Sequence, residues 1–168
     1  FIGNPDLRSE GELRAAITHW LDNPKFYFKF RTESLVELWQ TTLDEFCSNV
    51  GVALADIKSE VLFKGPKKGR FEFIDLFSGI GGFRLSLQAN GGSCVFSSEW
   101  DKAAKQTYFK NYGTVPFGDI NQFTDDSISD EELDLLIPDH RVLAGGFPCQ
   151  PFSRAGVSAR SALGKAHG

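Results

Sequence analysis

From Phe71 onward the sequence alternates short apolar, β-prone runs with helical ones, and no other feature restricts the fold as much. Phe71-Glu72-Phe73-Ile74-Asp75-Leu76-Phe77 reads as a strand, Ser78-Gly79-Ile80-Gly81-Gly82 as a tight turn and residues 83–89 as a helix. Ser93–Ser98 gives a second strand, Asp101–Asn111 a helix and Val115–Phe117 a short strand. The acidic residues 129–136 read as a further helix. Arg141-Val142-Leu143-Ala144-Gly145 is then a fourth strand, opening into Gly146-Phe147-Pro148-Cys149-Gln150-Pro151-Phe152-Ser153. Strands joined through helices pair in parallel by right-handed crossovers. The expected class is α/β, with about four parallel strands.

The residues before this pattern read differently. Ser9 is placed to cap a helix with Glu12 three positions on, and Leu13, Ile17 and Leu21 form its apolar stripe. Asn23-Pro24 ends it. Phe26, Phe28 and Phe30 alternate with Tyr27 and Lys29 in an extended segment. A second helix follows from Thr32, with Leu35, Leu38, Trp39, Leu43 and Phe46 on one face and Cys47 near its end. Residues 1–64 are therefore expected to form a mainly helical extension. Residues 65–70, inside the basic Gly- and Pro-containing run KGPKKGR, are its linker to a unit over 71–168. A chain of 168 residues accommodates one domain with such an appendage.

Composition removes several classes. With 41% hydrophobic and 24% charged residues the chain is an ordinary globular sequence, not a disordered one. No apolar run approaches the roughly 20 residues that cross a bilayer, so no membrane partner is expected. The three cysteines, 47, 94 and 149, cannot all pair and lack metal-ligand spacing. A reducing cytoplasm without a bound metal is the expected setting. The sequence has no Met and begins with Phe1, as a chain trimmed at its N-terminus would.

The net charge of −4 is unevenly spread. Residues 1–70 carry ten basic and ten acidic side chains, a balance unlike that of a basic DNA-binding module. Residues 125–139 hold seven acids and no Lys or Arg, whereas the residues from His140 onward carry Arg141, Arg154, Arg160 and Lys165 and no acid. That tail suits a local phosphate contact, or a solvated surface loop.

In a doubly wound sheet, ligands sit beyond the carboxyl ends of the strands, where a glycine turn lets the backbone approach them. Gly79, Gly81 and Gly82 occupy that place after the first strand. The dinucleotide fingerprint would need glycine at position 84, where this chain has Arg84, which counts against a nicotinamide or flavin ligand. Glu99, twenty residues after Gly79, stands where an acid accepts from ribose hydroxyls; Trp100 offers a flat face for adenine, and Asp119 an acceptor for its amino group. Singly, these residues have plainer readings: an ordinary turn, a solvated helix cap, a core tryptophan. Together they describe a pocket for an adenosine-bearing ligand.

Cys149 lies between Pro148 and Pro151 in a loop that leaves a strand at the same sheet edge. Most lone cysteines are buried and inert. Here Arg154 and Arg160, close in sequence, favour the thiolate, the reactive form. Cys94, inside an apolar strand, is expected in the core.

The octapeptides Asp75–Gly82 and Gly146–Ser153, in this order and at this distance, resemble those of the DNA cytosine-5 methyltransferases. Glu99-Trp100 and Asp119-Ile120 resemble the family's two intermediate cofactor motifs, and the likeness covers Phe71–Gly168. The tail from Ala155-Gly156-Val157-Ser158 to His167 looks most like the bacterial Dcm-type branch. The resemblance implies a Rossmann-like methyltransferase sheet, with S-adenosylmethionine as cofactor and S-adenosylhomocysteine as product. Phe77, Ser78, Gly79, Ile80, Gly81, Gly82, Glu99, Trp100, Asp119, Ile120 and Pro148 would line the cofactor. It implies Cys149 as nucleophile toward C6 of a cytosine flipped out of double-stranded DNA. Gln150, Ser153, Arg154 and Arg160 would contact the DNA.

The chain also departs from the family. It contains no Glu-Asn-Val segment, whose Glu protonates the cytosine ring, and no recognition region. The expectation is the N-terminal part of a bacterial restriction-modification methyltransferase, truncated or one half of a split enzyme, cytoplasmic and nucleoid-associated. A C-terminal portion or second subunit would complete it, and these residues alone would be inactive. A tRNA cytosine-5 methyltransferase shares the motif set. A non-catalytic cofactor-binding piece is the alternative of a different class, and a small-molecule methyltransferase leaves the Pro-Cys-Gln-Pro loop unexplained.

Overall fold

The computed structural model describes residues 10–23, 61–124, 128–130, 133 and 137–147, with Thr41, Glu45 and Ser48 singly, which are helical and exposed. The expected Phe26–Phe30 segment and most of the helix from Thr32, with Cys47, lie outside the described residues. So does most of 129–136, where helical bonds are nonetheless seen from Leu133 to the Ser129 carbonyl and from Ile137 to that of Leu133.

The chain runs through α1 (Glu10–Asp22), β1 (Phe71–Leu76), α2 (Gly82–Ala89), β2 (Gly92–Ser98), α3 (Lys102–Tyr112), a 3-10 turn (Ile120–Phe123) and β3 (Val142–Gly145). The strands β1, β2 and β3 and the helices α2 and α3 begin and end within one residue of the sequence reading, which has no element at the 3-10 turn and a strand at Val115–Phe117. The three strands are parallel in the order β2-β1-β3, with Asp75 opposite Ser97 on one side and Ala144 on the other. From β1 the chain steps outward to β2, then returns to add β3 on the opposite side. The order therefore reverses at β1, and the carboxyl ends of β1 and β3 flank the switch point where such sheets bind ligands.

The expected strand at Val115–Phe117 is a single parallel bridge, Ser98↔Phe117. Phe117 donates to the Ser97 carbonyl at 2.8 Å, and its own carbonyl accepts from Glu99 at 2.8 Å. The next amide that would extend that ladder, that of Val115, is given to the Thr18 hydroxyl oxygen of α1 at 2.9 Å, so pairing stops there and the described sheet has three strands rather than four. The amide of Ser97 is instead taken by His19 Nε2 at 3.0 Å.

Helix α1 corrects the expected stripe at Ile17. Its buried face is Glu12, Ala15, Ala16 and His19, while Ile17 is 41% exposed. Two alanines let the helix lie close on the sheet, and the polar pair serves backbone groups that the sheet leaves open. Ala15 and Ala16 join Ile74, Val95, Phe96, Phe117 and Phe123 in one core. Phe96 stacks on Phe117 at 4.9 Å, and Phe123 meets both edge-on, the geometries that aromatic quadrupoles favour. Cys94 is buried as expected, its thiol pushed up to about 11 by burial, which disfavours the thiolate.

Candidate functional site

Beyond β1 the backbone enters the left-handed region three times in five residues: Phe77 at φ 53°, Gly79 at 54° and Gly81 at 95°. For Phe77 this is strained, and such strain persists only where the surroundings impose it. The two glycines serve different ends. A Cβ on Gly79 would meet no protein atom, so glycine is needed there for φ and leaves the backbone open to approach. A Cβ on Gly81 would collide with the Tyr112 ring. Gly82, likewise open, begins α2.

Neighbouring elements hold this turn. Ser78 donates its amide to the Ser98 carbonyl at 3.0 Å. Glu99, at the end of β2, accepts the Gly79 amide on Oε2 at 2.7 Å and the Asp101 amide on Oε1 at 2.9 Å. Each carboxylate oxygen keeps a further lone pair, so this bracing leaves Glu99 able to accept from a ligand hydroxyl. Asn111 Nδ2 donates to the Ile80 carbonyl at 2.9 Å, and the Tyr112 hydroxyl to that of Gly81 at 2.5 Å.

Trp100 is 74% exposed beside Glu99, so it is a surface face and not the core residue of the plainer reading. Asp119 caps the 3-10 turn, accepting from Asn121 at 3.0 Å, and Ile120 is half-buried. At the switch point, a Cβ on Gly146 would lie 3.0 Å from the Phe83 ring in the first turn of α2. The exit of β3 thus abuts the glycine turn, and Phe147 stands 60% exposed beyond it. The structure brings Phe77–Gly82, Glu99, Trp100, Asp119, Ile120 and the root of the Gly146–Ser153 loop to one edge of the sheet. Pro148, Cys149, Gln150, Ser153, Arg154 and Arg160 lie outside the described residues.

Two buried polar groups, Asp75 and Arg84, were not singled out as site residues by sequence reasoning; a third, Ser78, was named only among the residues that the resemblance places along the cofactor. Asp75 is fully buried near the Arg84 backbone amide, and burial pushes its carboxyl up to about 7. An acid directly after the buried Phe73-Ile74 pair of β1 was the available signal. The hydroxyl of Ser78 is also buried without a partner. Arg84, read only as a break in the dinucleotide fingerprint, is buried against Tyr108 and Tyr112, with Asp22 of α1 as its ion-pair partner at 3.1 Å. Open glycine backbone, a largely buried acid at the end of β2 with lone pairs to spare, an exposed indole and the buried Asp75 and Ser78 oxygens fit a ligand with hydroxyls, a flat ring and a cationic group.

These features coincide with a family. Residues 71–166 match the C-5 cytosine-specific DNA methylase model, and the chain belongs to that family. Among curated relatives, the Type II methyltransferase M.MspI of Moraxella sp is 56% identical over 61% of this chain and 22% of its own length. The DNA-cytosine methyltransferase of Escherichia coli (strain K12) is 47% identical over 58% of this chain and 23% of its own. The Type II methyltransferase M.HhaI of Haemophilus parahaemolyticus is 50% identical over 50% of this chain and 23% of its own. The chain thus spans less than a quarter of the length of these relatives. No helix among the described residues is long and apolar enough to cross a membrane.

Proposed function

We propose that this chain carries the cofactor site and the nucleophile of an enzyme that methylates C5 of cytosine in double-stranded DNA, within bacterial restriction-modification. The observation that carries this is the meeting, at the switch point, of the Glu99-braced glycine turn with the root of the Gly146–Ser153 loop. The ligand is S-adenosylmethionine, which when bound supplies an electrophilic methyl group. Glu99 accepts from the ribose hydroxyls, Trp100 stacks on adenine, and Asp119 with Ile120 meets the adenine edge. Phe77–Gly82 and Pro148 line the remainder.

Cytosine C5 is a weak nucleophile. The Cys149 thiolate adds to C6, and the electron pair released into the ring makes C5 enamine-like. After methylation, loss of the C5 proton and expulsion of the thiolate restore aromaticity. The cytosine reaches Cys149 only when flipped from the duplex, with Gln150, Ser153, Arg154 and Arg160 along the DNA. The Glu-Asn-Val acid and the recognition region are supplied by a further polypeptide segment or subunit. The setting is the cytoplasm, at the nucleoid.

The test is a chimera in which these 168 residues replace the matching N-terminal portion of the Moraxella relative. It is assayed for transfer of tritiated methyl to duplex DNA and to tRNA. Transfer to DNA that Cys149→Ala abolishes supports the proposal. A soluble chimera that binds S-adenosylhomocysteine but never methylates DNA contradicts it.

A further inference from the structure

Helix α1 lies outside the residues that match the family, yet its polar face reaches both loops of the site. Near its start, the buried Glu12 carboxylate receives the backbone amide of Gly118, next to Asp119. At its end, Asp22 Oδ2 binds the Arg84 guanidinium at 3.1 Å and accepts from the Thr114 hydroxyl at 3.4 Å. The Arg84 side chain is only 3% exposed. Its Nε donates to Gln88 at 2.5 Å and its Nη1 to the Tyr108 hydroxyl at 3.4 Å. The same guanidinium lies 4.6 Å from the centroid of the Tyr112 ring, and the Tyr112 hydroxyl donates to Gly81. An unbroken series of contacts runs from Asp22 through Arg84 and Tyr112 to Gly81.

We infer that α1 is a working part of the cofactor site, and that Asp22 is a positioning residue which holds the glycine turn through Arg84 and Tyr112. The inference rests on reading that turn as the cofactor cradle. Left-handed backbone at Phe77 persists only where its surroundings impose it, and Gly79 and Gly81, free to take either sign of φ, hold one turn only where neighbours select it. Tyr112 does so from beneath Gly81, and its ring is fixed by the cation beside it. That cation is stable in a buried place only while an anion faces it. Asp75 also lies within electrostatic range of Arg84, but burial keeps its carboxyl partly protonated near neutrality, so it does not replace Asp22. Without Asp22, the guanidinium turns toward water and the support under Gly81 loosens.

The test is amide hydrogen exchange, read by mass spectrometry, on the 168-residue chain as wild type, Asp22→Asn, Asp22→Glu and Tyr112→Phe. Asp22→Asn should speed exchange across residues 77–83 by about tenfold or more, the scale of a lost charge-assisted bond, while β1 and β2 stay protected. Asp22→Glu should restore most of the protection. Tyr112→Phe, which removes only the hydroxyl over Gly81, should loosen the same residues and decides the matter if Asp22→Asn unfolds the chain. In the chimera, Asp22→Asn should raise KM for S-adenosylmethionine about tenfold with kcat within about twofold. Unchanged exchange at 77–83 in Tyr112→Phe and in a folded Asp22→Asn overturns the inference. Failure of S-adenosylhomocysteine to protect 77–83 in the wild-type chimera contradicts the cofactor reading instead, and leaves the Asp22 result to be judged by exchange alone.

Discussion

Glu99 accepts the backbone amide of Gly79 at 2.7 Å, so the acid proposed to hold a ribose is also the strut of the glycine turn. The two tasks are compatible, because the bond uses one lone pair of one oxygen and orients the carboxylate from behind. A single side chain thereby links the end of β2 to the turn after β1, and cofactor affinity and turn geometry depend on the same group.

Glu99→Ala should therefore weaken S-adenosylhomocysteine binding to the chimera by about 10- to 100-fold, the loss expected from about 1.5–3 kcal/mol of charge-assisted bonding. Glu99→Gln, which keeps one acceptor oxygen, should fall between. Calorimetry reads both. Equal affinity in wild type and Glu99→Ala would remove Glu99 from the site.

Gly79 and Gly81 should respond differently to alanine. At Gly79 the cost is that of left-handed backbone alone, about 1–2 kcal/mol, because a Cβ there meets nothing. At Gly81 the Tyr112 ring must also move, adding about 1–3 kcal/mol of overpacking. Urea denaturation of the two variants should rank Gly81→Ala well below Gly79→Ala. The reverse order would mean that the turn is built differently.

Stability should carry two opposed pH dependences. Burial lowers the His19 pKa from 6.5 to about 3, so between those values the unfolded imidazole takes a proton that the folded one refuses, and acid destabilises. Burial raises the Asp75 pKa from 3.8 to about 7, so between those values the folded carboxyl keeps a proton that the unfolded one loses. The contribution of Asp75 therefore falls as pH rises. Relative to wild type, Asp75→Asn should gain stability from pH 4.5 to 7.5, and His19→Gln should gain it as pH falls from 6.5, each by at most about 1.4 kcal/mol per pH unit. Differences independent of pH would show that neither group titrates as its burial dictates.

The α/β alternation was legible because strand and turn chemistry from Phe71 to Gly146 is local: apolar runs of strand length, separated by glycine turns and a well-capped helix. Asp101 illustrates this, closing the first turn of α3 through the Ala104 amide at 2.7 Å. The face of α1 was not legible. Ile17 has the spacing of a core position but is 41% exposed, and the helix buries His19, whose ring takes the open Ser97 amide. That need arises where β2 loses its pairing partner at Val115, far along the chain, and no local pattern announces it. Arg84 was hidden for the same reason, since its partners Asp22, Tyr108 and Tyr112 converge only in three dimensions. The place of Glu99 was readable from its spacing after Gly79; its bond to that glycine was not.

The central claim is that the loop rooted at Gly146, against the glycine turn, carries the nucleophile. It is tested most directly by incubating the chimera with S-adenosylmethionine and duplex DNA containing 5-fluorocytosine, then separating products under denaturing conditions. Fluorine at C5 cannot leave as a proton does, so a thiolate added at C6 stays attached. The account predicts a covalent protein–DNA adduct with wild type and with Cys94→Ala, and none with Cys149→Ala. An adduct that persists in Cys149→Ala, or that is lost only in Cys94→Ala, would contradict it.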